Sequence, residues 1–342
     1  MTIAIDQPVG AGSTAVPGPA ATPTTPTTPI TPTSPTPGST RPNLLADLIT
    51  LIRPHQWAKN LLVVPLALID APALGPGPLA RVGWAVVLFT LASSLVYVCN
   101  DVYDRHRDRA HPTKRHRPVA AGRISVPLAY LLGLALALLL AAAVLFGPAV
   151  AWWPIAVYLG LNLAYSRGLK HLPLVDVCVV AIGFVLRVVE GYLAAGAPVG
   201  RWLLVSVFAL CLLFILGKRR HEVTVSGSAH RPSLRGYSVQ YLDYLIVFCA
   251  VLAVAAFLFS LQETVADPYA DLALLGSVPF AFFAVARYLQ ILVVDGHGGE
   301  PTRILLRDRA MVVNALLWGA LLAATLLAAH YTLPLDLVAR LR

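Results

Sequence analysis

The sequence predicts an all-α integral membrane protein built from nine transmembrane helices. Three observations carry this. Of its 342 residues, 57% are hydrophobic and only 13% are charged, too apolar a mixture for a soluble domain of this size. Apolar runs long enough to cross a bilayer recur along the chain. The basic residues gather in alternate loops between those runs, as they do in multi-pass proteins.

Residues 1–42 come first and stand apart. They are rich in Pro, Thr, Ser, Gly and Ala, with Pro-Thr units repeating from Pro17 to Pro37. Such a stretch has nothing with which to build a core, so a disordered tail is expected, followed by one transmembrane domain over 43–342. The tail lacks a basic start followed by an apolar block and does not read as a signal peptide.

The candidate spans run approximately Leu61–Leu74, Val82–Cys99, Val126–Phe146, Ala149–Tyr165, Leu172–Ala195, Trp202–Leu216, Leu242–Leu261, Leu272–Val294 and Ala310–Tyr331. The first is the most interrupted, holding Pro65, Asp70 and Pro72.

With the N-terminus placed in the cytoplasm, the inside segments collect 20 of the 26 Lys and Arg residues: Arg41, Arg53 and Lys59; Arg105, Arg107, Arg109, Lys114, Arg115, Arg117 and Arg123; Arg167 and Lys170; Lys218, Arg219, Arg220, Arg231 and Arg235; Arg303, Arg307 and Arg309. The outside keeps Arg81, Arg201, Arg340 and Arg342. This imbalance sets the orientation. It also accounts for the net charge of +9 without nucleic acid as a partner. The two long inside loops, after spans two and six, carry the densest polar chemistry, so the active site is expected to face the cytoplasm. Cys99, Cys178, Cys211 and Cys249 lie singly in or at the ends of apolar runs and read as packing residues, not as a disulfide or zinc framework.

Span two ends in Asn100-Asp101-Val102-Tyr103-Asp104-Arg105-His106-Arg107-Asp108. On a continuing helix, Asp101, Asp104 and Asp108 share one face. Carboxylates so crowded call for a cation, and hard oxygen donors suit Mg2+ bridging to substrate phosphates. The plainer reading is a solvated helix end in which Arg105, Arg107 and Arg109 pair with the acids. Next comes His111-Pro112-Thr113-Lys114-Arg115-His116-Arg117-Pro118. Acids followed at once by cations make a diphosphate site, although a positive-inside loop would also supply Lys114 and Arg115.

The Asn-Asp-x-x-Asp-x-x-x-Asp pattern, the pair Arg117-Pro118 and the earlier Arg53-Pro54 resemble the UbiA superfamily of intramembrane prenyltransferases. That resemblance implies nine helices around a catalytic cavity open to the cytoplasm. The family's second Asp-rich motif is missing, however. Its place is taken by Gly217-Lys218-Arg219-Arg220-His221-Glu222. With Arg53 to Asn60, Tyr165-Ser166, Leu169-Lys170-His171, Asp176, Tyr237, Arg287-Tyr288, Gly299-Glu300-Pro301 and Leu306-Arg307-Asp308-Arg309, it resembles a narrower group, the decaprenyl-phosphate phosphoribosyltransferases.

This resemblance implies phosphoribosyl pyrophosphate (PRPP) as donor, a polyprenyl phosphate as lipid acceptor and a product used for cell-wall arabinan (arabinogalactan) synthesis. It places the protein in the bacterial inner membrane and allows a homo-oligomer. Mg2+ would be held by Asp101, Asp104 and Asp108 with Asn100 in support, and Lys114, Arg115 and Arg117 would add cationic contacts. Lys170, beside Tyr165, and Lys218 with Arg219 would meet the donor's 5-phosphate or the acceptor phosphate. Asp176 and Glu222 would hold these cations or touch ribose hydroxyls. Arg307 and Asp308 would close the cavity. Lys59 reads either as a contact to the lipid phosphate or as a snorkelling anchor. Arg187, three residues before Glu190 inside span five, reads either as an internal ion pair or as a site residue.

Two rivals remain from the sequence. A prenyltransferase moving an isoprenyl chain to an aromatic ring shares the fold and the first motif, but Lys218 and Arg219 deny it a second metal. A polytopic transporter would put its functional charges near the bilayer midplane rather than at one face.

Overall fold

The computed structural model describes residues 43–64, 75–226, 232–265, 269–296, 298 and 306–330. The Pro/Thr tail, most of the first expected span and the Gly299-Glu300-Pro301 motif lie outside them. The described residues form helices and turns and contain no strand.

A short helix α1 (Leu44–Ile52) opens the fold, its first turn capped by the Asn43 side chain, which accepts from the Ala46 amide. Arg53 ends it in the left-handed region, with φ 53° and ψ 64°. Pro54 follows, and a proline disfavours a helical conformation for the residue before it. A 3-10 segment then runs over Pro54–Val63. The long helices follow: α2 (Pro76–Tyr103), the one-turn α3 (Arg105–Arg109), α4 (Val126–Phe146), α5 (Trp153–Arg167), α6 (Val175–Ala195), α7 (Arg201–Ser226), α8 (Val239–Thr264), α9 (Ala270–Val293) and α10 (Arg309–His330).

Seven of these helices, α2, α4, α6, α7, α8, α9 and α10, are long and apolar enough to cross a membrane. The fourth expected span is shorter than the sequence suggests. Gly147 and Pro148 close α4, and Pro154 fixes the start of α5 in its first turn, leaving 15 residues against the roughly 20 that span a bilayer. The described part of the first expected span belongs to the 3-10 segment.

Apolar side chains bury in separate clusters. One joins α2, α4, α5 and α6 around Leu88, Phe89, Tyr158 and Tyr192. A second joins α6, α7, α8 and α9 around Leu213, Leu242, Ile246 and Tyr288. A third seats α1 on the end of α2 through Leu51, Val98 and Val102. α6 belongs to the first two and ties them together. The outward faces stay apolar, with Leu138, Phe248, Phe282 and Leu316 exposed, as expected where the solvent is lipid.

Candidate active site at one end of the bundle

The polar residues collect at the C-terminal ends of α2, α5 and α7 and the N-terminal end of α6. Alternating helix direction brings these ends together.

Helix α2 stops at Tyr103, and Asp104 (φ −89°, ψ 3°) makes the joint to α3. The joint is small, since the Asp108 amide still donates to Asp104 O at 2.9 Å. Asp101 and Asp108 are almost fully buried and share one cation. Arg117 Nη1 lies 3.2 Å from Asp101 Oδ1 and 2.7 Å from Asp108 Oδ2. Asp101 also pairs with Arg53, whose guanidinium lies over the Tyr97 ring. Asp104 turns elsewhere, to Lys170 Nζ at 2.5 Å. The neighbouring arginines do not neutralise the triplet: Arg105 donates to Val102 O at 3.0 Å and Arg109 to Ala120 O at 3.0 Å. The cations come instead from positions distant in sequence.

Asn100 accepts from Ser166, in the last turn of α5 beside the half-buried Tyr165. Lys170 follows on the 3-10 turn Leu169–His171. It is buried and also stands over the Tyr103 ring. Lys114 and Arg115 are exposed on the turn Lys114–His116, where Arg115 Nε reaches His116 Nε2 at 3.3 Å.

A second cluster surrounds Asp176 in the first turn of α6. This carboxylate is wholly buried and accepts from Tyr237 Oη at 3.1 Å and Ser233 Oγ at 3.3 Å. Arg219 Nε lies 3.4 Å from it, and Arg219 also pairs with Glu222. The acids here are therefore occupied with Arg219, as the sequence allowed. Lys218, next along α7, is exposed. Lys59, in the 3-10 segment next to buried Asn60, is exposed. Desolvation by the protein beside it, and then the positive charges of Lys218, Arg187 and Arg53, push its pKa down.

Arg187 makes no ion pair with Glu190. Its Nε donates to Asn60 Oδ1 at 2.9 Å, Nη1 to Gly183 O at 2.6 Å and Nη2 to Tyr158 Oη at 3.3 Å. The rings of Phe89, Tyr158 and Phe184 surround it. Both oxygens of the buried Glu190 have no hydrogen-bond partner. The guanidinium thus serves to tie the 3-10 segment to α6. Asp308 is also committed internally: it caps α10 by accepting from the Met311 amide at 2.9 Å and pairs with Arg287 at 2.7 Å. Its partner Arg287 and this cap hold its carboxyl below the usual range. Arg307 beside it is exposed.

The sequence did not single out Arg53, Asn60, Ser166, Ser233 or Tyr237 as site members. Arg53, Asn60, Ser166 and Tyr237 were visible only as pieces of motifs, and Ser233 carries no local signal. Their side-chain partners are distant in sequence: 57 residues away for Ser233, 66 for Ser166 and up to 127 for Asn60.

Among the described residues, no three His, Cys, Asp or Glu side chains gather into a ready-made metal cage. Magnesium does not require one, since it keeps waters and takes one or two carboxylates beside substrate phosphates. Asp101 and Asp108, drawn together by one guanidinium, fit that need in kind and number.

Comparison with known proteins shows the family. Residues 62–292 match the UbiA prenyltransferase family. The chain is 37% identical over 296 residues to a decaprenyl-phosphate phosphoribosyltransferase of Mycobacterium tuberculosis, covering 82% of this chain and 95% of that one. It is 37% identical over 292 residues to the enzyme of that name from Corynebacterium glutamicum, covering 81% and 85%. Its fold matches a UbiA homolog from Archaeoglobus fulgidus, solved with DMAPP and Mg2+, at a TM-score of 0.59 and 19% identity over 82% of this chain and 99% of that one. With two thirds of its length matched, this chain belongs to the UbiA prenyltransferase family.

Proposed function

We propose that this protein is a transferase that moves the 5-phosphoribosyl group of PRPP onto a polyprenyl phosphate, with Mg2+ as cofactor, giving polyprenylphosphoryl-5-phosphoribose and diphosphate. The observation that carries the reading is the second cluster. Where an isoprenyl diphosphate site would place metal-binding carboxylates, this chain places Lys218 and Arg219, and Asp176 and Glu222 are both spent on Arg219. With neither of these carboxylates left for a metal, a phosphate would be met by cations directly, first by the exposed Lys218. Relatives named for this activity, 37% identical over most of their length, support it.

In the reaction, the bond from ribose C1 to the diphosphate oxygen breaks, and a bond from C1 to an acceptor phosphate oxygen forms. The electron pair of the broken bond leaves with diphosphate. Asp101 and Asp108 would hold Mg2+, with Asp104 beside them on Lys170, and the metal would supply neutralisation of charge on the leaving group. Arg53, Arg117 and Lys170 sit against the same carboxylates and add positive charge where the diphosphate forms. Lys218 and Arg219, in the second cluster, would serve the 5-phosphate or the acceptor phosphate, and Lys59 is near enough to Lys218 to feel its charge. The acceptor is already an anion, so no general base is required, and positioning carries much of the rate. The distribution of basic residues supports a cytoplasmic site in a nine-span bundle of a bacterial plasma membrane, and the relatives support a role in building the cell envelope.

The test is incubation of purified protein with Mg2+, radiolabelled PRPP and decaprenyl phosphate, followed by counting label extracted into the lipid phase. Label is expected, and it should vanish without Mg2+ and in Asp101→Ala. Folded protein that labels no polyprenyl phosphate, but joins an isoprenyl diphosphate to an aromatic acceptor, would overturn the reading.

A further inference from the structure

Leu174 has φ 65° and ψ −46°, a left-handed conformation that a leucine avoids and glycine accepts. The Val175 amide donates to Pro173 O at 2.8 Å, so Leu174 is the centre of a γ-turn of the rare, strained kind. This turn lies between Lys170 and Asp176 and joins the 3-10 turn Leu169–His171 to α6. Strain of this kind persists only where surrounding structure enforces it.

The enforcing structure comes from the loop that leads into α8. Tyr237 Oη accepts from the Leu174 amide at 2.6 Å and donates to Asp176 Oδ1 at 3.1 Å. One hydroxyl thus grips both sides of the turn. Ser233 holds the other oxygen of Asp176. Gly236 lets the loop press against the turn, since a Cβ there would stand 2.4 Å from Pro173 Cγ. On the near side of the turn, buried Lys170 has little freedom: its ammonium lies between the Asp104 carboxylate and the Tyr103 ring.

We propose that Tyr237 is a positioning residue which, with Asp176 and Ser233, clasps the strained turn at Leu174 and thereby aims Lys170 at Asp104. The clasp makes the second polar loop a support for the first polar cluster. Its importance for the rate rests on the reading of Lys170 as a member of the transfer site, but its geometry does not.

The experiment compares the native chain with Tyr237→Phe, Leu174→Gly and the double variant, with two readouts. The first is the rate at which acetic anhydride modifies Lys170 in substrate-free protein, followed by mass spectrometry. The second is lipid labelling from PRPP, resolved into kcat and KM. Tyr237→Phe keeps the ring and loses only the hydroxyl. It should speed Lys170 modification about 10-fold and lower kcat about 10-fold, a guide set by the usual reach of one lost positioning contact. Leu174→Gly should resemble the native chain. In the double variant, glycine adopts the turn without enforcement, so both readouts should return most of the way. A purely structural tyrosine would lose thermal stability without this rescue. Native modification rates in Tyr237→Phe, or a double variant no better than the single, would overturn the clasp. Should Tyr237→Phe fail to fold, Ser233→Ala with and without Leu174→Gly makes the same comparison. Modification that follows the expected pattern in a protein with no phosphoribosyl transfer would uphold the clasp and reject the proposed reaction.

Discussion

Lys170 and Asp104, 66 residues apart in sequence, meet at 2.5 Å at the junction of α2, α3 and the α5–α6 connection. Neither is held by a sequence neighbour, and the contact depends on both stretches being placed by the rest of the bundle.

The pair should behave as one unit. Asp104→Asn and Lys170→Met are each expected to lower kcat/KM about 100-fold, the scale on which a preorganised charge contributes to a transition state. The double variant should lose little beyond either single one, because residues acting together are not additive. Steady-state lipid labelling with the three variants checks this. Losses that multiply would show two independent roles.

The two charged residues of α6 predict opposite effects on stability. Glu190 is buried with both oxygens unpartnered, so Glu190→Met, of similar length, removes a desolvation cost and should raise the unfolding temperature in detergent. Arg187→Met strips partners from Asn60, Gly183 and Tyr158 and should destabilise by about 2 kcal/mol or more. Thermal unfolding followed by tryptophan fluorescence measures both. A lower melting temperature for Glu190→Met would mean that the acid has a partner of its own.

The Arg287–Asp308 contact gives the protein a pH-dependent element. The Asp308 carboxyl titrates below its ordinary range in the folded chain. Its contribution is therefore full above that range and drains away as the pH falls through the folded value. Asp308→Asn should be less stable than the native chain at pH 7, with the gap closing as the pH falls below the ordinary carboxylate range. Asparagine keeps an oxygen that can cap α10, so the gap reports the lost charge opposite Arg287 and should be small, as for an exposed ion pair. A gap independent of pH would separate the cap from the charge.

Much of this was legible in the sequence, because the signals involved are local. The spacing of Asp101, Asp104 and Asp108 needs only one helix end to become meaningful, and apolar length alone identified seven of the spans. The limits are equally physical. Pro148 and Pro154 shorten α5 in a way that average hydropathy does not register. The partners of the acids, Arg53, Arg117 and Lys170, could not be separated from Arg105, Arg107 and Arg109, because all are basic and only the fold brings the first set within reach. Arg187, three residues before Glu190, read either as an ion pair or as a site residue, and the fold instead gives its guanidinium to Asn60 and to two aromatic rings from elsewhere. Ser233 and Tyr237 sit in an unremarkable loop, and their role exists only once Asp176 is buried beneath them.

The placement of Tyr237 also bears on the order of assembly. A chain emerging from the ribosome has made Arg53, Arg117 and Lys170, the cations that pair with the acidic triplet among the described residues, once Lys170 is complete. The hydroxyl that holds the Leu174 turn follows only after α6 and α7. On the proposed clasp, the charged cluster would gather early in insertion as a loose set and become rigid only when Tyr237 reaches the turn. Rigidity, and with it turnover, would then report that the whole bundle has been inserted.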